Sequence, residues 1–195
     1  MSSKCLIGAV VLAVLALAGC SGSESSATDD ATTTPTRSAP TTLDDGTTAP
    51  GVDLSLGKTA TVRFGGNSKH ESVIDLTVTS VKKGKLSDFK GFDLDDKTKM
   101  STIYYVHAKV KNVGKGDLSG RKLVLYGSVS NSLVVQPVEF GTTFKPCDYN
   151  PLPKPFKRSK KAAVCMVMLA PKKGKIKDVQ WRPPNNAEPI SWLLH

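Results

Sequence analysis

Residues 101–111 read STIYYVHAKVK, and this stretch decides the fold that we predict for the chain. It is rich in the β-branched and aromatic residues that favour β-strands, and it contains neither proline nor glycine. It runs into Asn112-Val113-Gly114, a combination typical of a tight turn. The stretch therefore predicts a long β-strand that ends directly at a turn.

Other stretches of similar character are separated from it by clusters of glycine, asparagine and proline. They lie at residues 59–64, 74–78, 122–129, 133–140, 161–169, 176–181 and 190–194. No long helical period is present, so we predict an all-β domain, an immunoglobulin-like β-sandwich of seven or eight antiparallel strands. Residues 162–169 are apolar on both faces, which predicts a strand covered on both sides, either central in its sheet or at a sheet corner.

The N-terminus has the pattern of an exported protein. Lys4 supplies a positive start, and residues 6–18 form an apolar run that only Gly8 interrupts. Such a run of about 13 residues is too short to cross a bilayer, which needs about 20, but it fits a signal peptide. It ends in Leu17-Ala18-Gly19-Cys20, which resembles the lipobox of bacterial lipoproteins. The resemblance implies cleavage before Cys20 and a lipid on its sulfur; the alternative is an ordinary secretory signal followed by a chance cysteine.

The next segment predicts a flexible tether. Residues 20–50 are mostly Ser, Thr, Ala, Asp, Gly and Pro, with Leu43 as the only large aliphatic residue and no aromatic residue. Such a composition cannot offset the entropy that is lost on folding. The chain is therefore predicted to comprise a lipoprotein signal peptide at 1–19, a lipidated cysteine and tether at 20–50, and one folded domain at 51–195. The Thr/Pro cluster at 32–36 is either O-glycosylated or a bare linker.

The predicted domain is strongly basic. The chain has 27 basic and 17 acidic residues, and the part from Gly51 onward has 25 and 12, a net charge of +13. Three lysine-rich runs stand out, at Lys154, Lys157, Arg158, Lys160 and Lys161, at Lys172, Lys173, Lys175 and Lys177, and at Lys82, Lys83 and Lys85. All three are predicted to be loops. If two of them share one end of the sandwich they form an anion-binding face, and otherwise they keep the protein soluble.

Cys147 and Cys165 are the only cysteines in the predicted domain. In the oxidising surroundings of an exported protein such a pair predicts a disulfide, with two buried free thiols as the alternative. We expect no metal site and no cofactor, because His70, His107 and His195 lack ligand spacing with the cysteines.

No catalytic constellation is visible in the sequence. His107 lies alone on a predicted strand and is interpreted as a surface residue. Asp93, Asp95 and Asp96 offer oxygen ligands of the kind that calcium prefers, but the rest of a calcium-loop pattern is missing and neighbouring lysines oppose a cation. We interpret this segment as a solvated loop.

The N-terminal motif, the Thr/Ser/Pro-rich tether and the strand that ends at Asn112-Val113-Gly114 together resemble a family of Gram-positive, often actinobacterial, surface lipoproteins. The members carry an immunoglobulin-like β-sandwich of largely unassigned function and are similar to a small secreted mycobacterial antigen. The resemblance implies this fold and a location on the outer face of the cytoplasmic membrane. It implies no catalytic residues.

These features predict a lipid-anchored binding or adaptor module of the cell envelope rather than an enzyme. The expected partners are the membrane, through the anchor, and an anionic wall polymer, lipid headgroups or another envelope protein. Nucleic acid is not expected, because the chain is exported and few aromatic residues are interleaved with its basic ones. The alternatives are an envelope enzyme, or a small-molecule carrier with a closed apolar cavity between its sheets.

Overall fold

The computed structural model describes residues 41–66 and 71–194. The predicted signal peptide, Cys20, tether residues 21–40, His70 and His195 lie outside these ranges. Within them the chain forms nine β-strands, a 3₁₀ turn at Leu86–Phe89 and one short helix, α1. The elements are β1 (Asp53–Ser55), β2 (Thr59–Phe64), β3 (Ser72–Lys83), α1 (Asp96–Lys99), β4 (Thr102–Asn112), β5 (Tyr126–Ser130), β6 (Leu133–Val135), β7 (Lys161–Ala170), β8 (Asp178–Trp181) and β9 (Ile190–Leu193). No helix in the described part of the chain is long and apolar enough to span a membrane.

The strands form a two-layer β-sandwich, which confirms the predicted fold class. One sheet has the order β2-β3-β4-β7 and is antiparallel throughout. The other has the order β1-β9-β8-β5-β6, and its β1–β9 pair is parallel. The strand count and this parallel pair differ from the prediction, because β1 has only three residues and its partner lies at the opposite end of the sequence. A strand of three residues is too short to show the alternation of apolar and polar residues by which a strand is recognised in a sequence.

The main core lies between the two sheets. On β3, Ile74, Leu76 and Val78 alternate with more exposed residues and are 0 % exposed. From the other sheet, the indole of Trp192 is also fully buried, and its Nε1 donates a hydrogen bond to the carbonyl oxygen of Lys58 at 2.8 Å. Apolar burial of this kind is the main driving force for folding, so the core gives the described residues a basis for folding as one unit.

A second hydrophobic cluster covers part of the outer face of the four-stranded sheet. Strand β4 sends Tyr104 into the main core and Tyr105 into this second cluster. We call it the outer cluster; its buried members are Phe89, Ile103, Tyr105, Phe144, Cys147 and Val167. Phe144 lies at its centre, with ring centroids 4.7 Å from those of Phe89 and Phe140. The part of β4 from His107 to Lys111 lies beyond the outer cluster and keeps an exposed outer face.

Strand β7 is covered on both sides in its second half, as its sequence predicts, but Ala163 is exposed, so the prediction fails at the start of the strand. Met166 and Met168 belong to the main core, and Val167 belongs to the outer cluster on the opposite face. The strand is the last of its sheet, but Val138 donates a backbone hydrogen bond to Val167 at 2.8 Å across its free edge. It therefore occupies the sheet-corner position, one of the two positions predicted for it, and not the central one.

Residues 41–50 are folded, so the predicted tether is wrong for this part of the chain. The backbone N–H of Thr48 donates to the carbonyl oxygen of Thr61 on β2 at 2.8 Å, and Asp45 forms a 2.9 Å ion pair with Arg63. Thr47 and Ala49 are buried, each 7 % exposed. The segment is polar in composition, but a distant strand satisfies its backbone groups, and local composition does not reveal such a partner.

Candidate functional site

The two larger basic runs lie at opposite ends of β7. The 154–161 run precedes the strand, with Lys161 as its first residue, and the 172–177 run follows its last residue. A strand of 10 residues spans about 30 Å, so the two runs do not share one surface. The prediction that all basic runs are loops is wrong for Lys82, Lys83 and Lys161, which are strand residues.

The third run shares an end with the 172–177 run. Lys83 pairs with Tyr104, and Tyr104 pairs with Met168 near the end of β7. The backbone N–H of Lys173 also donates to the carbonyl oxygen of Met100 at 2.8 Å. Four carboxylates lie in the loop at this end, those of Asp88, Asp93, Asp95 and Asp96. Cations and anions are therefore mixed here. The 154–161 run has the carboxylate of Asp117 near Lys157 but places five cations within eight residues, which makes it the stronger candidate anion site.

Asn112 fixes the loop that carries the 154–161 run. Its side chain is 0 % exposed, and its Nδ2 donates to the carbonyl oxygens of Phe156 and Gly116 at 2.9 and 2.8 Å. Its Oδ1 accepts a hydrogen bond from Ser72 Oγ at 2.7 Å. Its backbone carbonyl accepts one from the N–H of Ser159 at 2.7 Å. A buried amide with every polar atom paired holds a unique geometry, so the exposed cations are carried on a fixed loop.

Strand β4 continues this basic surface onto the sheet. His107, Lys109 and Lys111 alternate with buried residues and share the outer face of the four-stranded sheet. The register places Lys111 beside Lys161 and Lys109 beside Ala163. Lys109 and Lys111 were not among the predicted site residues, although the two-residue period of the predicted strand places them on one face.

Two adjoining clefts form a groove over this part of the sheet. Their volumes are about 410 and 500 Å³, and they share Lys109 and Ala163 in their linings. We call this groove the sheet trough; the residues that define it are Thr77, His107, Lys109, Lys111, Lys161 and Ala163. Both clefts are shallow and open to solvent, so a ligand would lie along the sheet surface, whose floor is a strand pair rather than a loop.

Lysines supply the positive charge of the sheet trough. His107 is half-buried, and burial, together with the nearby ammonium of Lys82, lowers the pKa of its imidazole below the usual value. The imidazole is therefore mainly neutral at pH 7. Its Nε2 lies 3.9 Å from Cys165 Sγ, and Thr79 Oγ1 donates to its backbone carbonyl at 3.1 Å.

The predicted disulfide between Cys147 and Cys165 is present, with the two α-carbons 5.2 Å apart. Cys147 is 2 % exposed and belongs to the outer cluster, whereas Cys165 lines the sheet trough. The bond therefore fastens the loop before β7 to the strand itself. It also fixes the boundary between the outer cluster and the trough.

A third cleft, of about 430 Å³, lies around Arg63 and Trp181. The guanidinium of Arg63 is 2.9 Å from Asp45 and 3.8 Å from Glu71. Hydrogen bonds from Thr47 and from Arg63 lower the pKa of Asp45 to about 2, so this carboxylate stays ionised. Among the described residues that line this cleft, two carboxylates flank a single cation, which does not favour an anionic ligand.

The acidic segment at Asp93–Asp96 is a loop that leads into α1. Asp95 caps that helix by accepting a hydrogen bond from the backbone N–H of Thr98 at 2.8 Å. Asp96 lies 3.5 Å from Lys99. Across residues 41–66 and 71–194, no group of three or more His, Cys, Asp or Glu side chains is arranged to hold a metal ion.

Comparison with known proteins found no matching family model, no similar curated protein and no similar solved structure. The resemblance to Gram-positive surface lipoproteins therefore stays a prediction from the sequence.

Proposed function

We propose that the chain is a lipid-anchored binding module of the bacterial cell envelope, held on the outer face of the cytoplasmic membrane, that contacts an anionic envelope surface. The observation that carries this proposal is the 154–161 run. Its five cations, Lys154, Lys157, Arg158, Lys160 and Lys161, are all exposed. The fully buried Asn112 holds the loop beneath four of them.

Two features of the described residues favour a binding module over the alternative classes. A small-molecule carrier needs an apolar cavity between its sheets, but Phe156, Met166 and Trp192 fill that space and are almost completely buried. An envelope enzyme would be expected to use His107, since Ser80 and Asp148 line the same cleft. In the part of the chain that the structure describes, no hydrogen bond joins His107 to either of them.

The lipid anchor has a direct test. Replacing Cys20 with alanine should release the protein from the membrane fraction or leave it unprocessed, because the cysteine sulfur carries the acyl groups that anchor the chain. Intact-mass measurement of the native protein should find added lipid mass on an N-terminal Cys20. A membrane-extracted native form that begins at Cys20 without lipid mass would contradict the anchor.

Envelope binding is tested with a soluble fragment, residues 41–195, and isolated Gram-positive cell walls. We expect weak binding that falls steeply with salt, since screening over about 8 Å removes most long-range attraction at physiological ionic strength. The fourfold variant Lys154→Gln, Lys157→Gln, Arg158→Gln and Lys160→Gln should lower the affinity markedly, because each charge near an anionic surface contributes about 1 kcal/mol.

The matched control removes the same charge from the other end of β7, through Lys172→Gln, Lys173→Gln, Lys175→Gln and Lys177→Gln. This control should retain most of the binding. The proposal would be contradicted if the fragment did not bind at low salt, or if the two fourfold variants lost equal affinity. The 154–161 run would then be explained by solubility alone.

A further inference from the structure

We infer that the sheet trough seats a linear polymer that carries a phosphate group in each repeat, with the polymer backbone running along β4. The inference rests on the proposed envelope-binding function and assigns a ligand class to it. It depends on a largely different set of residues, since the trough lies on the face of the sheet and the 154–161 run lies mainly on a loop; the two share Lys161.

The strand spacing matches a repeating anion. Residues i and i+2 of a β-strand lie on the same face, about 6.6 Å apart along the chain. Lys109 and Lys111 occupy two such positions on β4, and Lys161 on β7 is paired with Lys111. Neighbouring strands are about 5 Å apart, so the α-carbons of these three lysines form a compact cluster, with two positions along β4 and one beside them on β7. Successive phosphates of an extended chain can reach them without leaving the sheet surface.

The floor of the trough is open beside Lys109. The register aligns Thr59, Thr77, Lys109 and Ala163 across the four strands. Ala163 is exposed and short, so it leaves room for a ligand between β4 and the edge of the sheet. On the other side, the hydroxyls of Thr59 and Thr77 lie 2.7 Å apart. These two hydroxyls are hydrogen-bonded to each other, so one O–H of the pair stays free to donate to a phosphate oxygen beside the cations.

The two ends of the trough differ. One end is bounded by Cys165 and Asp148, next to the outer cluster. The other end opens at Lys111 and Lys161, where Lys160 continues the basic surface into the 154–161 run. A single polymer strand can follow this path from the loop into the trough. The cations follow one strand and continue into one loop, and this linear path favours a chain-like ligand.

The charge of the trough is positive but moderate. Its lining lysines are Lys82, Lys109, Lys111 and Lys161. Asp75 and Asp148 also line it, and Asp75 accepts a hydrogen bond from Thr61 Oγ1 at 3.0 Å. One phosphate group meets too few charges to bind tightly. A chain of phosphates meets several at once, so affinity should increase with polymer length.

The test measures binding of fragment 41–195 to short chains of inorganic polyphosphate over a range of salt concentrations. The triple variant Lys109→Gln, Lys111→Gln and Lys161→Gln removes the charges of the lysine cluster. It should weaken binding about a hundredfold, at roughly fivefold per lysine. The slope of log affinity against log salt should fall by about 2, since three phosphate contacts are lost. The matched control Lys172→Gln, Lys173→Gln and Lys175→Gln removes equal charge from the opposite end of β7 and should leave both quantities nearly unchanged.

A second variant separates shape from charge. Ala163→Phe fills the floor of the trough at an exposed strand position and keeps every lysine, so it should weaken polyphosphate binding by about tenfold or more without unfolding the domain. Equal losses in the two lysine triples, or no loss with Ala163→Phe, would overturn the trough as the seat. So would binding to phosphatidylglycerol vesicles that exceeds polyphosphate binding and is insensitive to the trough variants. If cell-wall binding still depends on the 154–161 run in those cases, the proposed function survives; if cell-wall binding is absent as well, both fail.

Discussion

Replacing Asn112 with alanine should lower the free energy of unfolding by about 3 kcal/mol and release the loop that carries the 154–161 run. The substitution removes three buried hydrogen bonds, those of Asn112 with Ser72 Oγ and with the carbonyl oxygens of Gly116 and Phe156. Ser72 Oγ and the Phe156 carbonyl each keep one other bond, from the N–H groups of Gly116 and Leu118. Each lost hydrogen bond costs about 1 kcal/mol, which gives about 3 kcal/mol for the three. Chemical denaturation of fragment 41–195 measures the loss.

Asn150→Ala is the matched control, because Asn150 is exposed and its Nδ2 bonds only to the nearby carboxylate of Asp148 at 2.6 Å. It should change stability by less than about 0.5 kcal/mol. Trypsin should also cut the Asn112→Ala protein after Lys157, Arg158 or Lys160 faster than it cuts the control under native conditions. A loss below about 1 kcal/mol together with unchanged cleavage would show that Asn112 does not hold this loop.

Removing the disulfide should have a comparable effect. The double variant Cys147→Ala and Cys165→Ala should lose about 3 kcal/mol of stability, because the bond closes a loop with a sequence separation of 18 and restricts the unfolded chain. The near-ultraviolet circular dichroism of the outer cluster should weaken as well, since Cys147 packs in that cluster with Phe144 and Tyr105.

Reduced wild-type protein provides the control for this pair of substitutions. It should unfold at the same denaturant concentration as the double variant if the covalent bond, rather than cysteine packing, is responsible. A double variant as stable as the oxidised protein would contradict the stabilising role. A reduced protein much more stable than the double variant would assign the loss to the cavities left by the two sulfurs.

Strands were predictable from the sequence wherever they were long enough to show the two-residue alternation of apolar and polar residues. On β3, Ile74, Leu76 and Val78 alternate with polar residues, and the two-residue period alone identifies their buried face. The disulfide was also predictable, because Cys147 and Cys165 are the only two cysteines in a domain that is predicted to be exported. Short elements and elements of polar composition could not be predicted from the sequence. Residues 41–50 and β1 owe their structure to partners on β2 and β9 that are distant in sequence.

The candidate site likewise has features that follow from the sequence and features that follow only from the tertiary structure. The sequence by itself determined the all-β character, the excess of positive charge and the membership of each basic run, since these depend only on residue type and local spacing. Only the tertiary structure decided which basic residues share a surface. Lys161 lies next to Lys111, 50 positions earlier in the chain, and far from Lys172, 11 positions later. The physical reason is that an extended strand separates its own ends by about 3.3 Å per residue, whereas hydrogen-bonded pairing brings distant strands to within about 5 Å.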